Sequence, residues 1–184
     1  MSFLGAIKPT KVKYKGVVYK VHDDFRNVLN TIRMLEQEDD EVERAIILIQ
    51  TILGSDAPLD LVMLNKANQV LWNGVDPETV EQQEVHQDLI QDYPIYKMDI
   101  LREFNKDIEK MEYLSWSEYL ELVGSLSKDS NLAQVVQIRS TKEKDIPKDK
   151  RREFKKLQER FAIKNKVVEQ PKETIFDKWM ERSD

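Results

Sequence analysis

Apolar residues recur along this chain at two spacings. From Lys11 to Val21, KVKYKGVVYKV, they alternate with lysines about a Lys15-Gly16 centre, which predicts a β-hairpin over 11–21. A two-residue turn there puts Val12, Tyr14, Val17, Tyr19 and Val21 on one face, with Gly16 supplying a positive φ. A lone hairpin is marginal in water, so it either packs on the chain's own helices or is completed by another strand at its edge. Beyond it the period is helical. Phe25, Val28, Leu29, Ile32 and Leu35 form one stripe, capped by Asp23 or Asp24 and ending near Glu36. Val42, Ala45, Ile46, Ile49, Ile52 and Leu53 form a second, widened by Ile47 and Leu48 and stopped at Gly54. A third runs through Leu61, Leu64, Ala67 and Leu71 to Trp72, opened by Pro58 and stopped by Gly74.

The densest pattern lies between Tyr93 and Leu126. Tyr93, Tyr96, Ile100, Phe104 and Ile108 recur at helical spacing behind Pro94, and Trp116, Tyr119, Leu120, Val123 and Leu126 follow. Ser115 and Glu118 stand at capping-box spacing, with Leu114 and Tyr119 placed for a hydrophobic staple. Tyr96, Phe104, Trp116 and Tyr119 are therefore the expected centre of the core, and Trp72 is expected to pack there too. Between the two helical sets, 75–92 loses its apolar residues to acids and reads as a linker. A short helix with Leu132, Val135, Val136 and Ile138 comes next. A last helix is expected over 147–162, with only Phe154, Leu157 and Phe161 as an apolar seam. This predicts a mainly α protein: one helical domain over 10–166 with an N-terminal hairpin, then a tail over 167–184.

Charge divides the chain. Between Arg139 and Lys166 there are twelve Lys or Arg and five Asp or Glu, a net of +7; since the whole chain carries −5, the remainder carries −12. Arg151, Arg152, Lys155 and Lys156 make the last helix broadly basic. That face is either simply solvated or a docking site for an acidic partner or for another copy's acidic end. Nucleic acid is disfavoured, because no aromatic residues interleave for base stacking and the chain as a whole is acidic. In the tail, Pro171 opens a segment in which Ile175, Phe176, Trp179 and Met180 share one helical face. Burying four such side chains gains roughly 6–12 kcal/mol, against about 10–20 kcal/mol of backbone entropy for ten residues. Such a helix needs a surface to dock on. The choices are a clasp onto its own domain or an arm reaching another molecule, and the arm is favoured because a proline and a polar linker precede it.

Chemistry finds little footing. There is no cysteine, and the two histidines, His22 and His86, are isolated and read as surface residues. No catalytic, metal-binding or cofactor-binding residues are assigned, because no base stands beside a nucleophile and no glycine-rich phosphate loop is present. The acidic run from Glu36 to Glu43 lacks the spacing of a calcium loop. It reads as a solvated connection that also places negative charge at a helix start. No apolar run approaches the ~20 residues of a membrane span, and MSFLGAIKPT is too short in apolar residues for a signal peptide. A cytosolic protein acting by binding, not an enzyme, is expected.

The order of these pieces resembles a known family. Asp24-Phe25-Arg26 after a hairpin, a helical pair ending near Trp72-Asn73-Gly74, an acidic insert, and Tyr93-Pro94-Ile95-Tyr96 closing on Phe104 and Ile108 come first. Leu114-Ser115-Trp116, Gly124-Ser125-Leu126-Ser127, a short helix ending in Arg139 and a basic last helix complete it. From Val12 to Ile163 the chain is similar to the tail assembly chaperones of long-tailed bacteriophages of Gram-positive bacteria. Where that family has paired tryptophans, this chain has Trp116-Ser117. The resemblance implies several copies coating the long helical tape measure protein, keeping it soluble, helping to recruit tail-tube protein, and leaving before the virion is complete. Its location would be the cytoplasm of the infected host. Alternatives are a structural or adaptor subunit of a phage particle and, far behind, a hydrolase using carboxylates.

Overall fold

A computed structural model describes residues 11–74 and 86–164, and these fall into two compact units. Among the described residues there are seven α-helices and one antiparallel hairpin, so the protein is mainly α.

The first unit comprises residues 11–74 with 115–117. Its hairpin pairs β1 (Lys11–Tyr14) with β2 (Val17–Lys20), Val12 opposite Tyr19 and Tyr14 opposite Val17. Lys15 and Gly16 both have positive φ, 47° and 85°, the twist a two-residue hairpin loop requires. Val12, Tyr19 and Val21 are buried, but Val17 is 51% exposed, so the expected apolar face holds at the base of the hairpin and fails at its tip. The His22 N–H then donates to the Ile52 carbonyl at 2.8 Å.

Asp24 caps α1 (Phe25–Gln37) by accepting from the Arg26 N–H. Asp40 caps α2 (Glu41–Leu53) by accepting from the Val42 and Glu43 N–H groups. Between these helices the Arg44 guanidinium turns inward and donates to the carbonyls of Leu35 and Glu38, fixing the elbow. Asn27 crosses from α1 to donate to the Thr51 carbonyl at 2.8 Å. Gly54 ends α2 at φ 97°, where an added Cβ would meet the Asp56 carboxylate at 2.8 Å.

The next helix, α3 (Leu61–Leu71), starts three residues later than Pro58 suggested. Asp60 is its cap, accepting from the Met63 N–H at 3.0 Å while the Tyr14 hydroxyl donates to its other oxygen at 2.8 Å. Burial works against the Asp60 charge, but the Met63 N–H and the Tyr14 hydroxyl outweigh it and hold the carboxyl below its ordinary range. At the other end Asn73 N–H donates to Val70 and Gly74 N–H to Gln69, the paired bonds of a Schellman stop with Asn73 left-handed at φ 55°.

The second unit comprises residues 86–114 and 118–164. It contains α4 (Tyr93–Phe104), α5 (Trp116–Gly124) from Glu118 onward, α6 (Asn131–Ser140), a short 3-10 turn (Glu143–Asp145) and α7 (Arg151–Phe161). Tyr96, Ile100, Ile108, Leu114, Tyr119, Leu132, Val135 and Ile146 are buried. Ile108 is not on the helix as expected: α4 ends at Asn105, left-handed at φ 53°, and the turn beyond it carries Ile108 inward. The last helix likewise starts at Arg151 rather than at Pro147, because Pro147 accepts from the Lys150 N–H in a separate turn.

Candidate functional site

An acid sits among the apolar residues of α4. Asp99 shares a face with Tyr96 and Ile100 and is fully buried. It accepts from the Leu132 N–H at 2.9 Å and from Asn131 Nδ2 at 2.7 Å, with Arg102 Nη2 3.1 Å away. Ser130 accepts from the Ala133 N–H, so two oxygens serve the first turn of α6. Glu103 reaches Ser127 at 2.8 Å and 2.9 Å, through the backbone N–H and the hydroxyl. That N–H, although burial opposes it, lowers the Glu103 pKa from its ordinary value.

A second buried acid precedes α4. The Asp92 carboxylate takes a two-pronged contact from Arg139, Nη1 to Oδ2 at 2.6 Å and Nη2 to Oδ1 at 2.7 Å, and both side chains are nearly fully buried. Arg139 also donates through Nη1 to the His86 carbonyl at 2.9 Å and through Nε to the Phe161 carbonyl at 2.6 Å. One guanidinium thus joins the entry to α4, the end of α6 and the end of α7. Its hydrogen bonds to Asp92 raise the Arg139 pKa further, against the burial that opposes it. The neighbouring Tyr96 phenol is pushed up by burial, then by the charges of Asp92 and Asp88. Gln91 adds a pair of bonds to the chain beyond α7, donating to Ala162 and accepting from the Lys164 N–H, both at 2.9 Å. The end of the predicted linker, 86–92, is therefore a built turn, while 75–85 lies outside the described residues.

These contacts hold α4 still and leave its outer side bare. Pro94, Met98, Leu101 and Asn105 follow one helical row, with Met98 55% and Leu101 40% exposed. On α7 no residue is fully buried. Phe154 and Phe161 are half-buried and Leu157 is 39% exposed, while Arg152, Lys155 and Lys156 face water. Arg151 is partly committed, since its Nε donates to the Ile146 carbonyl at 3.1 Å and its Nη1 lies 4.0 Å from Glu143. In the first unit the expectation for Trp72 fails: it follows the last turn of α3 and is 46% exposed. Trp116 is buried, and its indole N–H donates to the Leu71 carbonyl at 2.9 Å.

Among the described residues no group of three His, Asp or Glu could hold a metal ion, and no helix is long and apolar enough to cross a membrane. What this arrangement offers is surface for binding: an apolar row on a rigid helix and a basic helix face. A family model described as Bacteriophage Gp15 protein matches residues 7–163. The chain belongs to this bacteriophage family. No curated protein and no solved structure matches it. The phage-family match takes in the hairpin and all seven described helices and leaves out the C-terminal tail. Ile175, Phe176, Trp179 and Met180 of that tail lie outside the described residues.

Within this phage-family domain the expected core residues differ in depth. Tyr96 and Tyr119 are fully buried, Trp116 nearly so, and Phe104 at the end of α4 is half-buried. Asp92, Asp99 and Arg139 were not singled out by sequence reading as structural acids and base. Asp99 carried a signal, an acid three residues after Tyr96 on an apolar stripe. Asp92 and Arg139 looked like members of an acidic run and a basic run.

Proposed function

We propose that this phage protein is a tail assembly chaperone, a binding protein rather than an enzyme, which covers the apolar helical faces of the tape measure protein and helps bring in tail-tube protein. The observation that carries the reading is the Met98–Leu101 row, two exposed apolar side chains on a helix whose other sides are locked by Asp99, Glu103 and Tyr96. Methionine adapts to irregular apolar surfaces, and a helix laid along such a row buries its own i, i+3, i+4 stripe. A long helical protein with uncovered stripes aggregates unless partners shield it. Membership of a phage family supports the setting, and the order of motifs from Val12 to Ile163 supports the chaperone assignment. On this reading the protein works in the cytoplasm of the infected host and is absent from the mature virion.

A structural or adaptor subunit of the particle is the second reading, equally compatible with a phage family. Mass spectrometry of infected-cell lysate and of purified virions separates the two. The chaperone is expected in the lysate alone; recovery from virions in fixed proportion to the tail-tube protein would establish a structural subunit instead.

A further inference from the structure

The resemblance implies several copies on one partner and does not say how copies touch. We propose that the basic face of α7 is a direct copy-to-copy contact whose occupant is the acidic elbow between α1 and α2 of a second copy of this chain. On α7, Arg152, Lys155 and Lys156 are exposed on adjacent turns and form no ion pair among the described residues. Lys148 and Lys150, both exposed, extend the same charge into the turn before the helix.

The elbow is the complementary surface. Asp39 and Glu43 are exposed there, in the connection and in the first turn of α2. Its backbone is fixed beforehand, by Arg44 donating to the Leu35 and Glu38 carbonyls and by Asp40 capping α2. The nearest basic side chain on α2 is thus turned inward, and docking pays little ordering cost. Both surfaces sit on short, well-held elements, so the contact is between preformed faces.

A second copy fits better than a nucleic acid. Outside residues 139–166 the chain carries −12, which repels a long polyanion, and α7 offers no aromatic platform for bases. A contact joining two different patches is heterologous. It propagates into rings or open spirals instead of closing as a dimer. Exposed charges are screened over about 8 Å at physiological ionic strength, so the assembly is salt-sensitive.

The test uses the full purified chain alone, so its failure is distinct from failure of the tape measure reading. Sedimentation velocity in about 0.05 M salt should show mass rising with concentration, and about 0.5 M salt should return it toward monomer. Lys155→Glu/Lys156→Glu and, separately, Asp39→Lys/Glu43→Lys should each weaken association at least about tenfold, roughly 1.4 kcal/mol. Each variant should keep its far-ultraviolet circular dichroism. An equimolar mixture of the two should associate again, because each reversed face then meets a reversed elbow. A monomer at every concentration overturns the proposal. So does association that neither reversal changes, a mixture that stays dissociated, or a Lys155→Glu/Lys156→Glu effect confined to oligonucleotide binding.

Discussion

Arg139→Met should destabilise the protein by about 3–5 kcal/mol, the loss typical when one partner of a buried pair is removed and the other is left. Methionine replaces most of the aliphatic stem, so the effect reports the guanidinium rather than a large cavity. Asp92 would remain buried with its two closest donors gone, and the His86 and Phe161 carbonyls would each lose one. Because a buried hydrogen-bonded pair contributes less than its disruption costs, Asp92→Leu/Arg139→Met should recover part of the loss. The residual measures the two carbonyls together with the Asp88 N–H, which donates to Asp92 at 2.9 Å. Urea denaturation followed by circular dichroism checks the magnitude, and amide exchange should show the end of α7 opening first. A loss below about 1 kcal/mol, within the range of surface pairs, would mean that Arg139 is solvated and does not join the three segments.

Trp116→Ala should cost a similar amount, about 3–5 kcal/mol, by a different route. The side chain is almost entirely buried, its indole N–H occupies the Leu71 carbonyl at the end of α3, and its backbone N–H donates to the Asp23 carbonyl at 2.7 Å. Asp24 and Ser115 form an isolated antiparallel bridge beside it. Removing the ring opens a cavity and leaves a helix-end carbonyl short of a donor, while the backbone bond survives. Trp116→Phe should keep most of the packing and lose the indole bond, for about 1 kcal/mol. Against an ordinary stability of about 5–15 kcal/mol, the alanine variant is expected to be partly unfolded at growth temperature. An unchanged melting temperature with loss of a partner would instead make Trp116 a contact residue.

Local chemistry made much of this fold legible. Lys15-Gly16 announced the hairpin loop, the Asp23-Asp24 pair the start of α1, the acidic run from Glu36 to Glu43 a helix start, Gly54 a stop, and Ser115 the start of α5 at Trp116. Each signal acts over a few residues, through a backbone angle or a cap. The misreadings needed information from far along the chain. Pro58 lost the start of α3 to Asp60, which is supported by the Tyr14 hydroxyl 46 residues earlier. Asp92 and Arg139, 47 residues apart, looked like solvated charges because nothing near either one names its partner. Trp72 fits the α3 stripe by size and period, yet the chain turns at Asn73 and leaves the ring exposed. Of the candidate surfaces, the basic face was readable from charge alone. The Met98–Leu101 row was not, since apolar side chains on a helix are indistinguishable from core until the core is seen.

The central claim concerns what that row covers, and co-expression tests it directly. The tape measure protein of the same phage, the proposed partner, is produced with the wild type, with Met98→Glu/Leu101→Glu, or alone, and its soluble fraction is measured. Both substituted positions are exposed, so folding of the variant should be within about 0.5 kcal/mol of wild type, as for ordinary surface changes. The account predicts a tape measure protein that is soluble and co-purifies with the wild type, and that pellets alone or with the variant. A tape measure protein equally soluble in all three cases, or one that pellets regardless of this chain, would contradict it.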